Sequence, residues 1–189
     1  MSRQTKIHVT PEEYLAFERS AEFKSKYFDG EIFAMTGASR RHNLISTNLL
    51  REFSQQLRTH QCEVYPSDMR VRIPAANIYT YPDVVIVCGE PEFEDDHVDT
   101  LLNPTALIEV LSKSTASYDR DLKFAYYRTL ASLAEYLLVA QDQFKIEQYT
   151  KQPDGRWLLA DIGSPEARVE LTSVGCTLAL KDIYEKVEF

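Results

Sequence analysis

Two apolar stretches, each carrying one carboxylate, constrain this chain more than any other feature. The first reads Tyr81-Pro82-Asp83-Val84-Val85-Ile86-Val87 and the second Ala106-Leu107-Ile108-Glu109-Val110-Leu111-Ser112. Unbroken runs of β-branched and aliphatic residues read as central strands covered on both faces. An ionised carboxylate is costly in such surroundings unless a partner offsets its lost hydration, and a bound cation is a common partner. If the two strands are neighbours, Asp83 and Glu109 meet at their ends as the start of a divalent-metal site.

Composition sets the frame around that site. The 189 residues fit one domain, spanning 1–189 and long enough to bury a substantial core. Hydrophobic residues at 44% and charged residues at 26% give the profile of a soluble globular protein. The formal net charge of −8 argues against a partner held by overall charge alone, such as non-specifically bound nucleic acid. It leaves room for a local basic groove and suits a chain that binds cations. Cys62, Cys88 and Cys176 are odd in number, far apart and without a CxxC, so neither a disulfide framework nor a zinc site is expected. The amino terminus carries no signal-peptide pattern, and no apolar run approaches the ~18–20 residues of a membrane span. The expectation is a cytoplasmic protein with no membrane partner.

Local patterns supply the elements. Thr10-Pro11-Glu12-Glu13 combines an N-cap, proline at the first helical position and a capping-box glutamate, predicting a helix from about Pro11 to Arg19. Asp29-Gly30 between Tyr27-Phe28 and Glu31-Ile32-Phe33 predicts a tight hairpin. Leu44, Ile45, Leu49, Leu50, Phe53 and Leu57 share one face of a helix over about 41–59. Strands are expected near 62–65, 69–73, 136–140, 144–150, 157–162 and 168–171, with a second helix over about 118–130 and a helical turn within 181–187. Helix, strands, helix, strands in that order imply one α/β domain, a mixed sheet with helices on its faces.

Several residues bear on chemistry. Mg²⁺ takes oxygen ligands, typically one or two carboxylates completed by water and substrate phosphate, so Asp83 and Glu109 form a suitable pair. Each also has a plain reading, as a solvated or loop-capping acid at a strand end. Lys123, near the start of the helix after the Glu109 strand, reaches toward the same place; alternatively it is a surface lysine paired with Asp119 one turn earlier. Lys113 competes with it. Ser112, Ser114 and Thr115 either contact phosphate or cap the helix. Glu31 is a third acid of the cleft or a solvated hairpin residue. His42 serves as a proton carrier and phosphate contact or in a structural role. Arg40, Arg41, Arg51 and Arg58, with Arg70 and Arg72 alternating on one strand face, line a phosphate groove or sit solvated. Tyr118, Tyr126 and Tyr127 pack or line the site, packing being the first reading. No GxxxxGK[ST], GxGxxG or GxSxG occurs, and His8, His60 and His97 lack ligand spacing.

Taken together, Pro82-Asp83, Glu109-Val110-Leu111-Ser112, Ser114-Thr115, Tyr118-Asp119, Lys123 and Tyr126 form an ordered set. The set resembles the Uma-type family of restriction-endonuclease-like proteins, within the PD-(D/E)XK nuclease superfamily. Thr10-Pro11-Glu12-Glu13-Tyr14, Asp29-Gly30-Glu31, His42, Glu135-Tyr136-Leu137-Leu138-Val139 and Val187-Glu188-Phe189 extend the resemblance over nearly the whole chain. It implies a restriction-endonuclease-like core, a central mixed β-sheet flanked by α-helices, holding Mg²⁺ or Mn²⁺ for phosphodiester hydrolysis in DNA. Asp83 and Glu109 would then be metal ligands with the Val110 carbonyl, and Glu31 a further acid; His42, Ser112 and Arg72 would bind substrate. The superfamily pattern wants lysine two positions after the glutamate, where this chain has Leu111, so Lys123 must substitute from the helix. The two functions expected are therefore a metal-dependent DNA endonuclease, a homodimer by analogy with nucleases that cut duplexes, and an inactive nuclease-fold domain that binds nucleic acid or protein.

Overall fold

Helix α1 (Pro11–Ser20) opens with the predicted capping box: the Thr10 hydroxyl accepts the Glu13 N–H at 3.2 Å and the Glu13 carboxylate accepts the Thr10 N–H at 2.8 Å. Strands β1 (Ser25–Phe28) and β2 (Glu31–Ala34) form the predicted hairpin. Its turn needs left-handed backbone at both central positions, met by Asp29 (φ 40°) and Gly30 (φ 93°). Helix α2 (Arg40–Leu57) is capped by Ser39, whose hydroxyl accepts the His42 N–H at 3.1 Å and so fixes His42 in the first turn. In this computed structural model residues 8–112 and 118–189 are described.

The larger sheet has six strands in the order β11 (Trp157–Ile162), β10 (Ile146–Lys151), β9 (Glu135–Ala140), β8 (Ala106–Leu111), β6 (Val84–Cys88) and β3 (Cys62–Pro66). The smaller has five, in the order β2, β1, β5 (Ile78–Thr80), β4 (Arg70–Ile73) and β7 (Thr100–Leu101). Strands β12 (Arg168–Leu171) and β13 (Cys176–Ala179) pair separately. The pairs β8–β9 and β4–β7 are parallel and the rest antiparallel, so both larger sheets are mixed.

Alternating side chains of the six-stranded sheet feed two apolar layers. Val84, Ile86, Ile108, Val110, Leu137 and Val139 pack with Ile45, Leu49, Phe53 and Leu57 of α2. Val85, Val87, Leu107, Leu111 and Leu138 face the other way, onto Val71, Ile73, Ile78 and Leu101 of the smaller sheet. Cover on both sides explains the uninterrupted apolar runs of β6, β8 and β9. Each such side chain contributes about 1.5–3 kcal/mol on burial. Glu109 shares strand parity with Leu107 and Leu111, so it points into the layer between the two sheets.

Three expectations need correction. Cys62 and Cys88 form a disulfide, with Cα atoms 4.0 Å apart, because the antiparallel register of β3 on β6 sets them directly opposite each other. Spacing alone does not reveal that register. The helix expected over 118–130 is helical over 118–127, with its stretch Asp119–Lys123 in the wide π geometry ahead of a short α3 (Phe124–Tyr127). The final helical turn, α4 (Leu180–Ile183), is shorter than expected and begins one residue earlier. Among the described residues no helix is long and apolar enough to cross a membrane.

Candidate active site

The two carboxylates meet through sheet register. Val84 pairs with Ile108 across the antiparallel β6–β8 ladder, so one further step sets Asp83 opposite Glu109. Residues so opposed share a face, with Cβ atoms typically about 4.5–5.5 Å apart. Asp83 lies just before β6 and is half-buried, whereas Glu109 sits inside β8 and is 5% exposed. The Val110 N–H donates to Asp83 Oδ2 at 2.7 Å, and His42 Nε2 lies 3.2 Å from that same oxygen. Ser46 Oγ, one turn along α2, stands 3.4 Å from His42 Nδ1.

Glu109 is gripped from the opposite side. Lys123 Nζ lies 2.6 Å from Glu109 Oε1 and 3.3 Å from Asp119 Oδ1. The Tyr127 hydroxyl donates to the same Glu109 oxygen at 2.8 Å. The wide turn puts Asp119 and Lys123 on one side, and the Tyr136 hydroxyl anchors it by donating to the Asp119 carbonyl at 3.2 Å. Local π geometry of this kind recurs at functional sites. Lys123 is therefore not a surface lysine: it bridges Asp119 to Glu109 in the interior.

The electrostatics are unbalanced. Burial raises the Glu109 pKa; Lys123 opposes that shift, while Asp83 and Asp119 reinforce it. Burial alone would lower Lys123, yet Glu109 and Asp119 outweigh it and hold the ammonium above the usual lysine value. His42 behaves similarly: burial works against its charge, but Asp83 and the acids behind it raise its pKa overall. Lys26 on β1 moves the other way, lowered first by repulsion from Lys123 and then by burial, against the pull of Glu109, Asp119 and Asp83. Clustered shifts of this sort mark functional sites more often than random surface.

The donor set fits a hard divalent cation. Two opposed carboxylates are the protein share that Mg²⁺ commonly takes, substrate and water supplying the rest. Among the described residues no three His, Cys, Asp or Glu side chains gather as an all-protein metal cage.

The other expected residues are placed as follows. Glu31 opens β2 opposite Phe28, and Ser112 follows β8, half-buried. Arg72 is engaged by Asn77 (3.0 Å), by Glu94 (3.6 Å) and by the Tyr79 ring, 4.2 Å from its guanidinium carbon. Arg70 lies 2.8 Å from Asp99, and Arg51 reaches Glu185 at 2.7 Å. Lys113, Ser114 and Thr115 fall outside the described residues. Lys26 was not singled out by the sequence, since its place depends on how the smaller sheet is set against the larger, whereas Tyr127, read there first as packing, bonds Glu109 directly.

The chain is similar to known proteins over most of its length. The Uma2 family, described as "Putative restriction endonuclease", matches residues 11–181. Two relatives are from Synechocystis sp. The first, "Uncharacterized protein sll1609", is 40% identical over 168 residues, covering 89% of this chain and 94% of its own length. The second, "Uncharacterized protein slr1290", is 38% identical over 181 residues, covering 96% and 94%. A crystal structure described as "a putative nuclease belonging to DUF820" from Anabaena variabilis superposes with a TM-score of 0.78 at 16% identity, covering 95% of this chain and 99% of that one. The fold is thus shared with a nuclease-like protein.

Proposed function

The chain belongs to the Uma2 family, and on that premise we propose that it is a Mg²⁺-dependent endonuclease hydrolysing phosphodiester bonds in DNA. The observation that carries the reading is Asp83 opposite Glu109, with the buried Lys123 ammonium on Glu109. Asp83 and Glu109, with the Val110 carbonyl, would hold Mg²⁺, or Mn²⁺ in its place. When bound, such an ion supplies Lewis acidity at the phosphoryl group and lowers the pKa of water.

The protein's own groups do the positioning. Val110 N–H and His42 fix the rotamer of Asp83, and Tyr127 with Lys123 fixes that of Glu109. Lys123, protonated through its acidic neighbours, stabilises negative charge building on the phosphate, and Lys26 adds a second ammonium nearby. Lys123 takes the place of the lysine absent at Leu111, which is itself buried in the apolar layer. Glu31 contributes as a further acid and Ser112 contacts the DNA backbone, while Arg72, alternating with Val71 and Ile73, faces away from Glu109 onto Tyr79. Cutting both strands of a duplex calls for two such centres, which favours a homodimer of this one-domain chain.

The test is cleavage of plasmid and single-stranded DNA with Mg²⁺ and with Mn²⁺, using Asp83→Ala as the control, alongside calorimetric metal titration. Cation-dependent cleavage lost in Asp83→Ala is the expected result. If neither ion binds, and Asp83→Ala leaves DNA affinity unchanged, the enzymatic reading is wrong.

A further inference from the structure

We propose that a cavity beside the carboxylate centre receives a single unpaired nucleobase of the DNA. The identity of the ligand rests on the nuclease reading; the cavity does not. Its volume is about 350 Å³, at the small end of the roughly 300–1,000 Å³ typical of small-molecule sites. That admits one nucleoside and excludes a base pair still stacked in a duplex.

The walls have the chemistry of a stacking site. Phe28, Phe33 and Tyr118 supply rings, beside Lys26 and Thr80. Phe33 is 50% exposed and Tyr118 is 40% exposed, so both rings stand open to solvent at the protein surface. Phe28 is held edge-on by Tyr126, with ring centroids 5.4 Å apart. An aromatic ring can stack on any base, and such contacts bind single strands without regard to sequence.

Two polar features distinguish this cavity from a simple apolar dent. Thr80 is 3% exposed and lines the cavity from β5. Its hydroxyl interacts with that of Tyr127, which donates to Glu109, so this wall of the cavity backs onto the carboxylate centre. Lys26 ties the cavity to the centre: its ammonium interacts with Lys123, Glu109, Asp119 and Asp83 while its side chain lines the cavity. A nucleotide whose phosphate sits at the carboxylates therefore has its base within reach of the rings, with Lys26 between them. Extracting a base from a closed duplex costs stacking and pairing, so single-stranded or frayed DNA is the favoured form.

The test uses full-length Asp83→Asn protein in Mg²⁺ with a single-stranded oligodeoxynucleotide carrying 2-aminopurine, and its duplex as comparison. Binding should quench the fluorescence of the single strand and not of the duplex. Adding Phe33→Ala or Tyr118→Ala should abolish quenching and weaken single-strand binding about tenfold, and Phe33→Trp should restore both. Phe33 is half-exposed on the edge strand β2, and unchanged thermal melting confirms that each variant folds. Quenching that is absent, or that survives both alanine changes, overturns the proposal. The wild-type cleavage assay separates the two claims. Cleavage with ring-independent quenching removes the base pocket alone; ring-dependent quenching without cleavage removes the nuclease reading alone.

Discussion

Two mixed-charge clusters in this protein look alike on a contact list and behave oppositely. In the first, Arg19 lies 2.8 Å from both Asp95 and Asp99, and Arg70 lies 2.8 Å from Asp99. Arg19 drives the Asp99 carboxyl far below its ordinary range despite partial burial, and Asp99 raises Arg19 in return. Its two cations and two carboxylates balance in charge, although Arg70 Nε and Nη1 find no hydrogen-bond partner. In the second, burial and neighbouring acids raise Glu109 even though Lys123 touches it. A cluster that serves stability settles its charges among its own members. In the Glu109 cluster burial raises the carboxyl against Lys123, and Lys123 in turn lowers Lys26, a strain among charges of the kind that marks functional sites.

The sharpest way to break this contrast is to remove the cation from each cluster. Lys123→Met should cost about 3–5 kcal/mol, since it strands Glu109 in the interior, and should lower DNA cleavage by about 10²-fold or more; urea melts and plasmid nicking measure the two. Tyr127→Phe keeps the ring and deletes one donor to Glu109, with an expected cost of about 1.5–3 kcal/mol in the same melts. Arg19→Met, at the partly solvated cluster, should cost under about 1 kcal/mol. A loss there as large as that of Lys123→Met would erase the distinction between the two clusters.

The smallest effect is in acid. Asp99 is depressed in the fold, so its contribution is present above its unfolded value near 3.8 and is lost as pH falls toward the lower folded value. Melting temperature should therefore fall below about pH 4–5, and less steeply in Arg19→Met. Equal slopes in the two proteins would show that this network is not what titrates.

Local chemistry was readable in advance, and contacts between distant segments largely were not. Thr10 with Glu13, and Asp29 with Gly30, specify their own caps and turn, so α1 and the β1–β2 hairpin form as expected. Asp83 and Glu109 betrayed themselves as acids in apolar runs. Lys26 gave no such signal, because its role depends on how the smaller sheet faces Lys123. Nor did Cys62 and Cys88, whose pairing follows from a strand register that no local pattern states. The wide turn Asp119–Lys123 escaped for a related reason. Its residues suit an ordinary helix, and Tyr136 and Glu109 from the neighbouring sheet hold the broader shape.

The disulfide leaves its mark on how the sheet opens. Strand β3 is the outer strand, riveted to β6 at Cys62–Cys88 and paired at its other end through Pro66 opposite Val84, next to Asp83. Proline offers no N–H to the ladder. The edge can therefore peel only from the end beside Asp83, like a zip with one end sewn shut. Amide exchange along β3 should be graded, fastest toward Pro66 and slowest at Cys62, and reduction should flatten that gradient.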